Sequence, residues 1–220
     1  MSSAKCLITG MPNSGKTTLL GTLKNVLVVS RDGKPFSLPL SHYNVPNYDS
    51  IDDFTDLLDE KLEAYNDKFG MYPRTLAFDS VSRIMTDIET FSYKKFKGFD
   101  VWNNVNKEIN KFLSTLALLQ DQGMNLVLVA HVVWDENARK YIETSKGSFG
   151  KIGGFLSTVD YAINVDLVGN KHIVTLKGTN LSRTLISDVP DKLDASKFNL
   201  QEYLEKIGDQ ASEVEEKWSI

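Results

Sequence analysis

Cysteine is nearly absent from this chain: Cys6 is the single one among 220 residues. That excludes an intrachain disulfide and any tetrahedral cysteine metal centre, and it fits a reducing cytoplasm. Cys6 sits in an apolar segment and reads as a small buried hydrophobe. Long apolar runs are missing as well. None approaches the ~20 residues of a membrane span, so no membrane partner is expected. Met1-Ser2-Ser3-Ala4-Lys5 leads straight into a short apolar segment, without the layout of a signal peptide. Excess positive charge is also lacking. Lys and Arg number 25 against 29 Asp and Glu, a net −4. This argues against a surface coated throughout for nucleic acid but leaves local basic loops open. Arginine is scarce and scattered, at positions 31, 74, 83, 139 and 183. There is no internal repeat, and the length fits one large domain with a well-buried core.

What the chain does have is a glycine-framed loop. Residues 10–17 read Gly10-Met11-Pro12-Asn13-Ser14-Gly15-Lys16-Thr17, a complete G-x-x-x-x-G-K-S/T motif. Its flanks suit it. Ala4–Thr9 reads as a short buried strand, and Thr17, Thr18 and the residues to Leu23 as the start of a helix. Gly10 and Gly15 let the backbone turn N–H groups inward around phosphate oxygens. The helix N-terminus adds partial positive charge. Lys16 is placed to reach the β- and γ-phosphates and Thr17 to set its hydroxyl on Mg²⁺. The motif therefore predicts ATP with Mg²⁺, held by residues 10–18.

The rest of the chain alternates. Asn25–Ser30 reads as a second buried strand, broken by Arg31-Asp32-Gly33-Lys34-Pro35, and His42–Val45 as a short third. Ser50 caps a helix to about Lys68, with Phe54, Leu57, Leu58, Leu62 and Tyr65 on one face. Thr75–Ser80 is an apolar strand containing an acid. A helix and a basic aromatic stretch follow to about Asn104, then a helix over Val105–Gln122 capped by Gly123. Asn125–Ala130 is the most apolar strand and ends at His131. Residues 135–154 are polar and glycine-rich. Val159–Val165, His172–Lys177 and Arg183–Ile186 read as three late strands joined by glycine turns. Residues 1–198 thus form one core, and 199–220 a polar helix with an acidic tail. The pattern predicts an α/β fold: a mostly parallel twisted sheet flanked by helices, with antiparallel strands added at the C-terminal end. In such sheets ligands sit at the carboxyl ends of strands, where Lys16, Asp32, Asp79 and His131 all fall.

Asp79 has two readings. It holds Mg²⁺ opposite Thr17, or it caps the helix that begins after it. The Asp79-Ser80 pair after an apolar strand resembles the second nucleotide motif of RecA-type ATPases. Other features resemble that superfamily in the same order over roughly residues 4–187. Asp32 stands where these proteins place a catalytic glutamate that orients the attacking water, one methylene shorter here; as an alternative it opens an Asp-Gly turn. His131 stands at the position of a γ-phosphate sensor, or is a hydrogen-bonded strand-end histidine. The chain looks like the small phage-encoded relatives of RecA, a minimal RecA-like P-loop ATPase core without RecA's N-terminal oligomerisation segment or C-terminal domain. Such relatives act in single-strand annealing and recombination. The resemblance implies a homo-oligomer with ATP between subunits, single-stranded DNA as ligand, a single-strand-binding protein as partner, and the cytoplasm of a bacterial host as location.

RecA-like proteins grip single-stranded DNA with two loops, and both positions carry suitable residues. Phe91–Phe99 interleaves Lys94, Lys95 and Lys97 with four aromatics, which suits phosphates and stacked bases. The competing reading is an amphipathic helix end with solvated lysines. Residues 137–154 supply Arg139, Lys140, Lys146 and Lys151 with Tyr141, Phe149 and several glycines; a plain surface loop is the alternative. Lys177 and Arg183 fall where relatives place a basic pair that reaches a neighbouring subunit's γ-phosphate. An ordinary hairpin with solvated charges is the other reading.

Two further function classes compete. A P-loop kinase of a nucleotide or small molecule needs an arginine-bearing lid, which five scattered arginines do not provide. A non-catalytic ATP-dependent loader or partition-type module uses a second lysine early in the loop, and Met11-Pro12-Asn13-Ser14 has none. The acidic tail, Gly208–Glu216, either competes with DNA for basic loops or merely solvates the chain end.

Overall fold

The computed structural model describes residues 3–31 and 36–218, with side chains to Ser212. Eight strands form one sheet path and a ninth pairs at its side. They are β1 (Lys5–Gly10), β2 (Val26–Ser30), β3 (Ser41–Asn44), β4 (Thr75–Asp79), β5 (Asn125–Asp135), β6 (Lys140–Glu143), β7 (Tyr161–Val168), β8 (Lys171–Thr175) and β9 (Lys192–Asp194). The helices are α1 (Lys16–Leu20), α2 (Ile51–Phe69), α3 (Val81–Lys95), α4 (Phe99–Asp121), α5 (Gly147–Lys151) and α6 (Leu200–Trp218). Along the path the order is β3-β2-β4-β5-β1-β7-β8-β9. Neighbours from β3 to β7 are parallel, whereas β8 and β9 add antiparallel. The expected mixed fold is therefore observed.

Alternation along the buried strands builds a core on each face. Leu7, Phe78, Leu126 and Leu128 pack under α2, α3 and α4. Cys6, Ile8, Ala77, Val127 and Val129 pack under α1 and α6. The first face centres on aromatics. Phe112 of α4 meets Phe54, Phe78 and Phe155 edge-on, with ring centroids 5.9, 5.9 and 6.3 Å away, a geometry that suits the ring quadrupole. Helix α2 follows its sequence closely. Ser50 accepts from the Asp53 N–H at 3.1 Å, Asp52 and Asp53 occupy the first turn, and Gly70 ends the helix left-handed at φ 70°.

Three expectations are corrected. Helix α4 starts at Phe99 rather than Val105, because Gly98 at φ 59° turns the chain directly from one helix into the next. The Phe91–Phe99 stretch is thus a helix end and a tight turn, not an open loop. Strand β5 does not end at His131 but runs to Asp135 and returns as β6, so part of 135–154 is a β-hairpin, followed by the short α5. Arg183–Ile186 is not a strand: Arg183 makes an isolated bridge to Ala162, and the outer antiparallel strand is β9. Polar Lys192 and Asp194 hide that three-residue strand from a periodicity argument.

Candidate nucleotide site

Strand order brings the site together. Strand β5 is interposed between β1 and β4, with Gly10 level with His131 and Asp79 level with Val129. Ser30 lies level with Asp79 on the other side. The loop after β1, the acid ending β4 and the histidine of β5 therefore border one cavity of about 450 Å³. Its walls include Asn13, Lys16, Thr17, Asp79, His131 and His172, with Ser30, Phe36 and Ser37 at one side.

The loop is built by its glycines. A Cβ at Gly10 would fall 2.3 Å from the Val165 carbonyl oxygen and 2.5 Å from Ser14 Oγ. Gly15 caps α1 at φ 96°, a conformation that L side chains rarely adopt. The Lys16 ammonium is buried in the loop and donates to the carbonyls of Gly10 (2.8 Å) and Met11 (2.7 Å). A cation held there by two carbonyls stands within the curl where a phosphate chain would lie.

The Thr17 hydroxyl donates to Asp79 Oδ2 at 2.7 Å. Asp79 is buried, and the helix after it is capped by Ser80 instead, whose hydroxyl accepts from the Arg83 N–H. The capping reading of Asp79 is thereby removed. The hydroxyl and carboxylate together are hard oxygen donors of the kind Mg²⁺ takes, few enough to leave positions for phosphates and water. Among the described residues no group of three or more His, Cys, Asp or Glu forms a metal cage.

His131 is held from both sides. Its backbone N–H donates to Ser82 Oγ at 2.8 Å, and its carbonyl accepts from the Thr144 N–H and hydroxyl, each at 3.1 Å. Asp32 lies outside the described residues. Lys177 and Arg183 do not border the cavity. The Lys177 ammonium donates to the carbonyls of Ser187 and Val189, and the Arg183 guanidinium to that of Leu156. Either would have to leave these carbonyls to reach another subunit.

The basic candidates group at two neighbouring places. Lys94 and Lys95 end α3, and Lys97 follows in the turn; Lys95 donates to the Asp49 carbonyl at 2.7 Å. Around them Tyr93 packs edge-on against Trp102, and Phe99 is 77% exposed. Arg139, at φ 48°, and Lys140 form the tip of the β5–β6 hairpin. Lys151 ends α5. Lys146 pairs with Glu89 of α3 at 2.9 Å and so ties the two places together. Beneath the hairpin, Glu143 is buried and accepts from the Ser145 hydroxyl and the Phe155 N–H. Burial pushes its carboxyl above the usual range, against these hydrogen bonds.

Sequence reasoning missed two features of this region. His172 borders the cavity because β8 begins beside the loop, its Nδ1 2.7 Å from the Ser14 carbonyl. The Gly169-Asn170 turn was the available signal. Trp134 stacks edge-on against Tyr141 across the hairpin at 5.3 Å, and only the strand pairing shows it.

A KaiC-like protein from the hyperthermophilic archaeon Pyrococcus horikoshii is similar over 87% of this chain and 84% of its own, at 13% identity and a TM-score of 0.48. No curated protein sequence matches the chain. Among the described residues, no helix is long and apolar enough to cross a membrane. The family model for the AAA domain matches residues 2–188. A chain with this phosphate loop, this acid and that match over most of its length belongs to the AAA domain family of P-loop ATPases.

Proposed function

We propose that this chain binds and hydrolyses ATP, assembles on single-stranded DNA, and promotes annealing or homologous recombination as the small phage-encoded relatives of RecA do. The observation that carries the ATPase part is the 2.7 Å contact between Thr17 and Asp79 beside the buried Lys16. Mg²⁺ bound there would neutralise charge on the phosphates. Lys16 orients the phosphate chain, and Asp32 or His131 positions the attacking water or senses the terminal phosphate.

The DNA part is supported by Lys94, Lys95 and Lys97 with Tyr93 and Phe99 on one side, and by Arg139, Lys140, Lys146 and Lys151 with Trp134 and Tyr141 on the other. Such mixtures neutralise phosphates and stack bases without reading sequence. ATP lies between subunits of a homo-oligomer, with Lys177 or Arg183 supplied in trans, and a single-strand-binding protein is the expected partner.

The test is steady-state ATP turnover with and without single-stranded DNA, beside Lys16→Ala. DNA stimulation that the substitution abolishes supports the reading. If DNA leaves turnover unchanged and no complex forms at low salt with ATP present, the DNA reading fails, and a small acceptor or a protein partner takes its place.

A further inference from the structure

The phosphate loop receives a contact from outside the motif. His172, the second residue of β8, reaches the Ser14 carbonyl with its Nδ1 at 2.7 Å. A carbonyl oxygen only accepts, so the imidazole proton sits on Nδ1. The same ring lies against Gly15: a Cβ there would fall 3.0 Å from Nδ1 and 3.2 Å from Cγ. Glycine at this position thus serves the histidine as well as the left-handed turn.

This contact falls on the peptide unit that matters. In a trans peptide the C=O and the next N–H point in opposite directions, and Asp79-Ser80 is the one cis peptide among the described residues. Fixing the Ser14 carbonyl on the ring therefore turns the Gly15 N–H away from it. The side chain of Ser14 itself is idle, its Oγ buried without a hydrogen-bond partner among the described residues. Within the loop, the Ser14 N–H is already committed to the Met11 carbonyl. The backbone that carries the ring is paired across the β7–β8 hairpin, where His172 stands opposite Leu167.

We propose that His172 is a positioning residue for nucleotide binding: by holding the Ser14 carbonyl outward, it aims the Gly15 N–H at the phosphate oxygens and pre-forms the cradle. This rests on the nucleotide reading above and adds an element of the C-terminal hairpin to the loop's own residues. The ring acts through the peptide, not on the phosphate. A replacement that keeps a donor where Nδ1 stands keeps the function. Asparagine does so, because its amide nitrogen matches Nδ1 in distance from the backbone; leucine does not.

The experiment compares wild type, His172→Leu, His172→Asn and Lys16→Ala in titrations with a fluorescent ATP analogue, alongside thermal melts without nucleotide. The loss of one hydrogen bond predicts about 3–10-fold weaker binding for His172→Leu. His172→Asn should return to within about twofold of wild type, and the melting temperatures of the two should agree. Equal affinity of His172→Leu and wild type overturns the proposal, as does His172→Asn binding as weakly as His172→Leu. If the wild type binds no better than Lys16→Ala, the nucleotide reading itself fails and the role of His172 falls with it. The Gly15 amide resonance gives a second readout: it should shift in His172→Leu and return in His172→Asn.

Discussion

Glu143 shows how a single residue can bind the pH response of the fold to the neighbourhood of the site. Its carboxyl is buried beneath the β5–β6 hairpin and titrates above its ordinary value of 4.5, because desolvation outweighs the hydrogen bonds from Ser145 and Phe155. A folded-state value raised above the unfolded one means that the protonated acid favours folding. That contribution is complete below the unfolded value and is lost as pH rises through the folded one. Glu143→Gln removes the titration while keeping an acceptor for the Phe155 N–H. Thermal melts from pH 4 to 8 should therefore show the variant gaining on wild type above about pH 4.5 and then holding a constant lead. A difference that does not change with pH would show that Glu143 does not titrate in this window. Legibility at the residue scale was uneven. Lys16 and Thr17 were readable because a motif fixes their spacing and chemistry, and Asp79 because it is an acid closing an apolar strand. His172 was not, because its role depends on β8 beginning beside the loop, and the glycine turn before it signals a hairpin but not what that hairpin meets.

At the scale of elements, the β5–β6 hairpin departs furthest from expectation. Glycine and charge between residues 135 and 154 read as a loop, yet four register pairs from Val132↔Glu143 to Asp135↔Lys140 build a ribbon. The cross-strand pair of Trp134 and Tyr141, 47% and 41% exposed, gives it a face that water does not favour. If that face stacks bases, Trp134→Ala should weaken single-stranded DNA binding by roughly 1–3 kcal/mol and leave the salt dependence of binding unchanged. Filter binding at several salt concentrations separates the two effects. Unaltered affinity would assign the aromatics to another partner. Helices were the more readable elements: α2 and the end of α4 follow their caps and apolar stripes. The start of α4 did not, because the lysines and aromatics before Val105 suit a binding loop and a helix equally well.

For the whole molecule, the sheet's class and its carboxyl-end site were legible because buried parallel strands leave long apolar signatures. The last antiparallel strand was not, since β9 is too short and too polar to leave one. The assembled state makes its own prediction. Lys177 and Arg183 are engaged with carbonyls of their own chain and stand away from the cavity. An ATPase completed by a neighbour's cation should have a turnover per protomer that rises with protein concentration. Dilution series of wild type, Lys177→Ala and Arg183→Ala would show it: the variant lacking the trans cation should lose the rise, by ~10³-fold or more at saturation. Turnover independent of concentration would mean that each protomer is complete.

Strand β5 is a single stretch of 11 residues that holds His131 at the cavity and the hairpin face at its far end. From His131 to Asp135 is about 13 Å of extended chain, at ~3.3 Å per residue. Thr144, the residue just after β6, bonds the His131 carbonyl and Ser82 Oγ, so the ribbon is clamped to the cavity wall at its root. If the ribbon also holds the proposed partner, nucleotide and partner are linked through it, and linkage makes their effects on each other mutual. By whatever factor a nucleotide tightens the hairpin's hold on its partner, the partner must tighten the hold on the nucleotide.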